Sequence, residues 1–276
     1  MQGYCQNLDA DIQKAVDYYE EGNYAEASSL FSKLIPAVKA DYGENDTFLY
    51  VPLLSYAGSS YKKCGRYDKA LVVEKVMVGI LKKVVGSHHP DHAISLNNLA
   101  LLYLEMGNYE EAESLLRESI KIDKEIYGPD SPDYANNLNS LAQLYQDQGK
   151  YEEAEPLMKE ALQITKETLR KEDPFYATTL NNLAQLYMEM GRYGQAEPMM
   201  LESLEIARKT QGVHHPTYAT RLDNFAVLYL KTGRYPESES MMKEAMKITE
   251  EKQGKENPTY AYRLNNLTTL YLEQGR

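Results

Sequence analysis

The chain has 276 residues, of which 43% are apolar and 26% charged, a composition that supplies a substantial core and excludes a disordered or fibrous class. Its formal net charge of -11 is spread along the sequence with Lys and Arg interleaved, so no basic stripe exists to neutralise phosphates, and nucleic acid is not an expected partner. No run of about 18 apolar residues occurs and the start, MQGYCQNLDADIQ, lacks a basic segment followed by an apolar one, so neither a membrane partner nor a leader is expected and the cytoplasm is the expected location.

From the N-terminus onward one unit keeps returning. The pair Gly-x-Tyr stands first at Gly22 and again 43 residues later at Gly65; it then recurs every 42 residues at Gly107, Gly149, Gly191 and Gly233, and Gly275 begins a seventh copy. Residues 1–64 depart most from the pattern. Leu34 and Met77 replace a small residue of the later units, and Ala57-Gly58 replaces a Leu-Ala pair, as expected of an atypical end. Cys5 and Cys64 lack the paired spacing of a zinc or redox site and are expected to be free thiols.

Residues 65–276 carry the regular repeat, with prolines on the same beat at Pro90, Pro132, Pro174, Pro216 and Pro258. The fifth unit shows its anatomy. Asp173-Pro174 offers a capping residue followed by proline at the first helical position, where a missing N–H costs nothing. Leu180, Leu183, Ala184 and Tyr187 then fall at the spacing of an amphipathic helix, helix A, which Gly191 ends by accepting a left-handed backbone. Tyr193, Ala196, Met200, Leu204 and Ala207 mark a second stripe, helix B, running to about Thr210. Small residues recur on helix B at Ala112, Ala154, Ala196 and Ser238, and again at Ser119, Ala161, Ser203 and Ala245, where they let two helix axes approach closely. Pro156 and Pro198 fall early in helix B, where each removes one backbone bond and is expected to bend the helix slightly.

A hairpin of this kind cannot cover its own apolar face and must stack on its neighbours. The expected fold is therefore all-α: a solenoid of antiparallel helix pairs, about six hairpins plus a final helix A, forming one domain over residues 1–276. The sequence stops at Gly275-Arg276, where a Tyr and a helix B should follow, so the array is expected to be cut short at that end.

With L-x-x-L-A-x-x-Y on helix A, then Gly-x-Tyr and a small residue three positions on, the unit resembles the tetratricopeptide repeat over nearly the whole chain. The 42-residue period, the L-N-N-L-A stretches at Leu96 to Ala100 and Leu180 to Ala184, the His-Pro before helix A and the Ala-Glu-Pro stretches at Ala154 and Ala196 are similar to the kinesin light chain type. The resemblance implies a right-handed superhelix whose A helices line a concave groove and whose action is to bind a peptide or an extended segment of another protein.

Candidate contact residues follow from that implied groove. Asn181 lies about 100° round the helix from Leu180, and Gln185 and Met188 follow at i+4 and i+7 on the same face. The matching positions are Asn97, Asn139, Asp223 and Asn265, with Gln143 beside Asn139. An amide carries donors and an acceptor, so a ladder of Asn and Gln can hold a peptide backbone whatever its side chains. The competing reading is that these Asn bond between neighbouring A helices and hold the array in shape; the second Asn of the pair, as in Asn182 and Asn224, is expected to be structural. Kinesin light chain grooves carry basic residues and chaperone-tail binders a Lys/Asn carboxylate clamp, whereas this face reads Asn, Gln and Met with an acidic row at Glu105, Asp147, Glu189 and Glu273, interrupted by Lys231. A neutral or basic segment is the expected ligand, since like charges across a desolvated interface cost affinity.

No phosphate-binding loop, dinucleotide fingerprint, H-E-x-x-H or G-x-S-x-G is present, so neither a cofactor nor enzymatic activity is expected. His88, His89, His92, His214 and His215 lack a completing Cys or acidic constellation and are read as loop and helix-start residues, not a metal site. The chain is thus expected to be an interaction module. The alternative is the sensor region of a larger signalling protein with a downstream peptidase or nucleotide-switch domain, and self-association through the end repeats is a third possibility.

Overall fold

The computed structural model describes residues 2–275, with side chains from Leu8 to Gly275, so the expectation for Cys5 lies outside the described side chains. Cys64 is a free thiol. Among the described residues there are thirteen helices and no strand, in two compact units, Met1–Pro129 and Asp130–Arg276.

The first unit holds α1 (Gln2–Glu20), α2 (Tyr24–Tyr42), α3 (Tyr50–Lys63), α4 (Tyr67–Val84), α5 (Pro90–Glu105) and α6 (Tyr109–Tyr127). Its core gathers Phe31, Leu54, Ala57 and Met77 among others, with a second cluster of Ala93, Leu96 and Ile122 between α5 and α6. The second unit holds α7 (Pro132–Asp147), α8 (Tyr151–Thr168), α9 (Pro174–Glu189), α10 (Tyr193–Thr210), α11 (Pro216–Lys231), α12 (Tyr235–Gln253) and α13 (Pro258–Glu273). Odd-numbered helices are the A helices and even-numbered ones the B helices, as the repeat predicts.

The expected punctuation is in place. Asp173 Oδ1 accepts from the Phe175 N–H at 2.8 Å, capping α9, and Pro174 follows at the first helical position. At the other end Gly191 sits at φ +71°, which lets the Arg192 N–H reach back to the Tyr187 carbonyl at 2.8 Å and close the last turn. Helices α8 and α10 run unbroken through Pro156 and Pro198, and α2 likewise contains Pro36.

The small residues of helix B are fully buried, and all three serines bond as well as pack, Ser238 Oγ donating to the Ala226 carbonyl at 2.8 Å. Ser119 Oγ donates to the Ala93 carbonyl at 2.8 Å and Ser203 Oγ to the Ala177 carbonyl at 2.7 Å, so a hydroxyl at this position satisfies itself on the backbone of its paired helix A. Where the repeat has alanine there, at Ala161 and Ala245, the same closeness is kept without a polar atom to satisfy.

Candidate functional site

In the second unit the A helices α7, α9, α11 and α13 pack side by side, each also against B helices. The burial pattern divides each A helix into three faces. On α9, Tyr176, Leu180, Leu183, Ala184 and Tyr187 are buried in the stack, while Thr179 and Asn181 are buried on its flanks. Thr178, Asn182 and Gln185 are half-buried and Glu189 is exposed, at i, i+4, i+7 and i+11, which makes them one open stripe. The equivalent stripe on α7 is Asn136, Ser140, Gln143 and Asp147; on α11 it is Thr220, Asn224, Val227 and Lys231.

The predicted contact residues divide accordingly. Asn97, in the first unit, is 6% exposed; in the second unit Asn139 is 6%, Asn181 3% and Asp223 2% exposed. Gln143, Gln185 and Met188 are half-buried, and Asn265, on the last described A helix, is exposed. Gln143 Nε2 donates to Asp147 Oδ1 at 2.7 Å, which fixes both side chains along the open stripe of α7.

The buried members join adjacent A helices. Asn139 Nδ2 donates to Thr179 Oγ1 of α9 at 3.2 Å, Asn224 Nδ2 donates to Asn181 Oδ1 at 3.2 Å, and Asn266 Nδ2 donates to Asp223 Oδ2 at 3.0 Å. So the second residue of one Asn pair grips the first residue of the preceding one. Asn224 and Asn266 bond structurally, yet each remains half-buried on the open stripe, whereas helical spacing alone puts them further round the helix. The i, i+4, i+7, i+11 spacing through Asn182 and Gln185 is the signal in the sequence that marks the stripe.

Two arginines that pattern reading passes over lie on the same flanks. Arg221 and Arg263 stand where the α9 unit has Thr179, and are 9% and 3% exposed. Arg221 Nη2 donates to Thr178 Oγ1 at 2.8 Å; Arg263 Nη2 donates to Thr220 Oγ1 at 3.2 Å and its Nη1 to the Ala245 carbonyl at 2.9 Å. Burial lowers both guanidinium pKa values, Arg221 to about 10, and at Arg263 the Asp223 carboxylate works against that fall. Burial in turn raises Asp223, opposed by Arg263 and by the bond from Asn266.

The acidic row is partly occupied by neighbours. Glu105 of the first unit pairs with Lys62 of α3 at 2.9 Å. The histidines serve helix starts: His89 Nδ1 accepts from the Asp91 N–H at 3.2 Å and His215 Nδ1 from the Thr217 N–H at 3.1 Å, capping α5 and α11. Among the described residues no group of three or more His, Cys, Asp and Glu side chains could hold a metal ion, and no helix is long and apolar enough to cross a membrane.

Comparison with known proteins adds a family. A model of the tetratricopeptide repeat matches residues 49–125, 91–167, 175–251 and 222–276, and a second matches 139–209. Among solved structures, a Podosopora anserina kinesin light chain-type protein of nearly identical TPR-like repeats is 24% identical, with a TM-score of 0.61 over 74% of this chain and 96% of its own. BtubC (BKLC) from P. vanneervenii is 22% identical, with a TM-score of 0.62 over 87% of this chain and 90% of that one. NprR in complex with its cognate peptide NprX is 17% identical, with a TM-score of 0.69 over 98% of this chain and 74% of that one. No curated protein matches the chain.

Proposed function

We propose, from the premise that this chain belongs to the tetratricopeptide repeat family and has repeats of kinesin light chain-like form, that it binds an extended polypeptide segment along the open face of its A helices. The family is a scaffold for protein–protein interaction and is in general not enzymatic. The observation that carries the finer reading is the repeated open stripe of the second unit. Amide side chains at Gln143, Asn182 and Gln185 stand half-buried at consecutive repeats, on helices locked to one another by the buried Asn and Thr bonds beneath. Half-buried amides have donors and acceptors to spare, and a rigid base keeps them in place, which lowers the entropy lost on binding.

In this reading Gln143, Asn182, Gln185, Met188 and Asn265 touch the segment directly, whereas Asn97, Asn139, Asn181 and Asp223 set the spacing of the helices that present them. The exposed carboxylates Asp147, Glu189 and Glu273 at one edge favour basic side chains on the segment at that edge. NprR, similar in fold to this chain and solved in complex with its cognate peptide NprX, supports this reading. The cytoplasm suits a chain with the free thiol Cys64.

The test is affinity. A partner is recovered from native lysate, its bound segment mapped and labelled, and its Kd measured for the variant Gln143→Ala, Asn182→Ala, Gln185→Ala and for a control altered at Glu152 and Glu205 on B helices. The reading expects the first to lose roughly tenfold to a hundredfold, the loss of two or three hydrogen bonds of about 0.5–1.5 kcal/mol each, and the control to bind unchanged. Equal affinity for a folded groove variant contradicts it.

A further inference from the structure

Two consecutive junctions of the second unit are built on one plan and differ in one charge and in one bond, which Arg263 Nη1 donates to the Ala245 carbonyl at 2.9 Å. Between α11 and α13, Arg263 is buried, donates to Thr220 Oγ1, and lies in the field of the Asp223 carboxylate, to which Asn266 also donates. Between α9 and α11, Arg221 is buried, donates to Thr178 Oγ1, and finds the neutral amide of Asn181 in the place of Asp223, with Asn224 donating to it. Thr178, Asn181, Arg221 and Asn224 are each 42 residues before Thr220, Asp223, Arg263 and Asn266, so the correspondence is position by position.

The consequence is an uncompensated cation. Among the described residues no carboxylate pairs with Arg221, its Nε–H is buried without an acceptor as is that of Arg263, and burial holds its pKa below the usual arginine value with no opposing carboxylate. A buried guanidinium is tolerated when its donors and its charge are met, and leaving them unmet costs stability. Arg221 is 9% exposed, and its Nη2 donates to the Thr178 hydroxyl. The Thr178 hydroxyl that it reaches stands half-buried on the open stripe of α9, in line with Asn182 and Gln185, and already donates its own proton to the Pro174 carbonyl at 2.9 Å. The guanidinium is therefore hydrogen-bonded to a side chain of the stripe on which the segment is read to lie.

We propose that Arg221 is an anion subsite of that surface: a carboxylate of the bound segment docks on its guanidinium beside Thr178 and supplies the counter-charge that Asp223 supplies to Arg263 one repeat later. This rests on the groove reading above and deepens it, since it places one acidic group, an Asp or Glu side chain or the segment's own terminal carboxylate, at a fixed point of a segment otherwise neutral or basic. Arginine suits the task because its planar fork meets both carboxylate oxygens at once.

The test needs no partner, which separates its failure from that of the groove reading. The protein is labelled in its arginine side chains and the Nε–Hε resonances are followed by NMR while sodium acetate is added, against sodium chloride at equal ionic strength. Two further arms use N-acetylalanine, which carries the carboxylate of a polypeptide terminus, and N-acetylglutamic acid α-amide, which carries that of a side chain; the tighter binder identifies the source. Acetate is expected to shift the Arg221 resonance saturably and to leave Arg263 in place. The variant Asn181→Asp builds the missing carboxylate into the protein; it is expected to weaken the acetate response at least about tenfold, one charge-assisted bond, and to raise Tm by about 2–4 °C, as expected for a gain of roughly one hydrogen bond's worth of stability in a protein of this size. No response beyond that to chloride, an equal shift at Arg263, or an undiminished response in Asn181→Asp overturns the proposal.

Discussion

Glu74 of α4 lies against the bare Cα of Gly58 on α3: a Cβ built on that glycine would stand 2.8 Å from Glu74 Oε1. Both residues break the repeat at once. Position 74 is held by Leu116, Met158, Met200 and Met242 in the later units, all at most 1% exposed, and position 58 by Ala100, Ala142, Ala184 and Ala226. A polar side chain has entered the core where its neighbour lost a methyl group.

That exchange has a pH signature. Burial raises the Glu74 carboxyl from 4.5 to about 7, against the pull of Lys62, and its Oε2 has no hydrogen-bond partner. A carboxyl whose pKa is higher folded than unfolded binds more protons in the native state between those two values, so its contribution to stability falls as pH rises from 4.5 to about 7 and the penalty is complete above that. At about 1.4 kcal/mol per unit, the penalty is roughly 3 kcal/mol. Glu74→Met is expected to remove it, raising stability at pH 8 by about that amount and at pH 4.5 by much less. Urea unfolding at the two pH values measures the difference. In the same series Gly58→Ala alone is expected to cost about 1–3 kcal/mol by overpacking, and in the Glu74→Met background to cost nothing or stabilise by about 0.5–1 kcal/mol, as alanine does in a helix. Additive effects of the two changes would deny that they are coupled.

His92 presents the opposite slope. It is 1% exposed, both ring nitrogens lack partners, and burial lowers its pKa, with Glu118 opposing and Lys82 adding to the fall. The native ring stays neutral while the unfolded one takes a proton below its ordinary 6.5, so stability held above that pH is lost as pH falls through the interval to the lower folded value. Later units carry Tyr134 and Tyr176 at this place, whose hydroxyls donate to Glu160 and Glu202 at 3.2 and 3.4 Å. Glu118 is the equivalent carboxylate. His92→Tyr is expected to form that bond, to gain about 1–2 kcal/mol at pH 7, and to flatten the acid limb. A wild-type acid limb retained in the variant would show that His92 does not set it.

The ties between A helices should differ in strength according to charge. Asn266 donates to a carboxylate, Asp223, and Asn224 to an amide, Asn181, at 3.0 and 3.2 Å. Asn266→Ala strips a buried carboxylate of one of its two compensations and is expected to cost about 1.5–3 kcal/mol, whereas Asn224→Ala is expected to cost about 1 kcal/mol. Denaturant midpoints of the two variants rank them directly; equal losses would mean that the charge on Asp223 is met elsewhere.

Most of the fold was legible because the period is strict. Gly191, Asp173-Pro174 and the Leu180 to Tyr187 stripe each specify a local geometry that the structure contains, and the 42-residue step carries them to every later unit. The candidate face was legible only to within one position on the wheel. Sequence spacing placed Asn181 and Asn182 on neighbouring faces but not which of them meets the next A helix, because that depends on how far adjacent hairpins rotate in the stack, a property of two units together. Gln185 fell on the open stripe from either starting point. The breaks in the repeat were visible as letters, Gly58 for alanine and Arg221 for threonine, yet their meaning needed their partners Glu74 and Asn181, which are 16 and 40 residues away.

The central claim, that the open stripe of the A helices is the gripping surface, is tested most directly by the side-chain amide NMR signals of Asn and Gln in the labelled protein before and after the mapped segment is added. The account predicts that Gln143, Asn182 and Gln185 shift while Gln163 and Gln195, on B helices α8 and α10, stay fixed. Shifts confined to the B-helix amides, with Gln143, Asn182 and Gln185 unmoved under saturating segment, would contradict it.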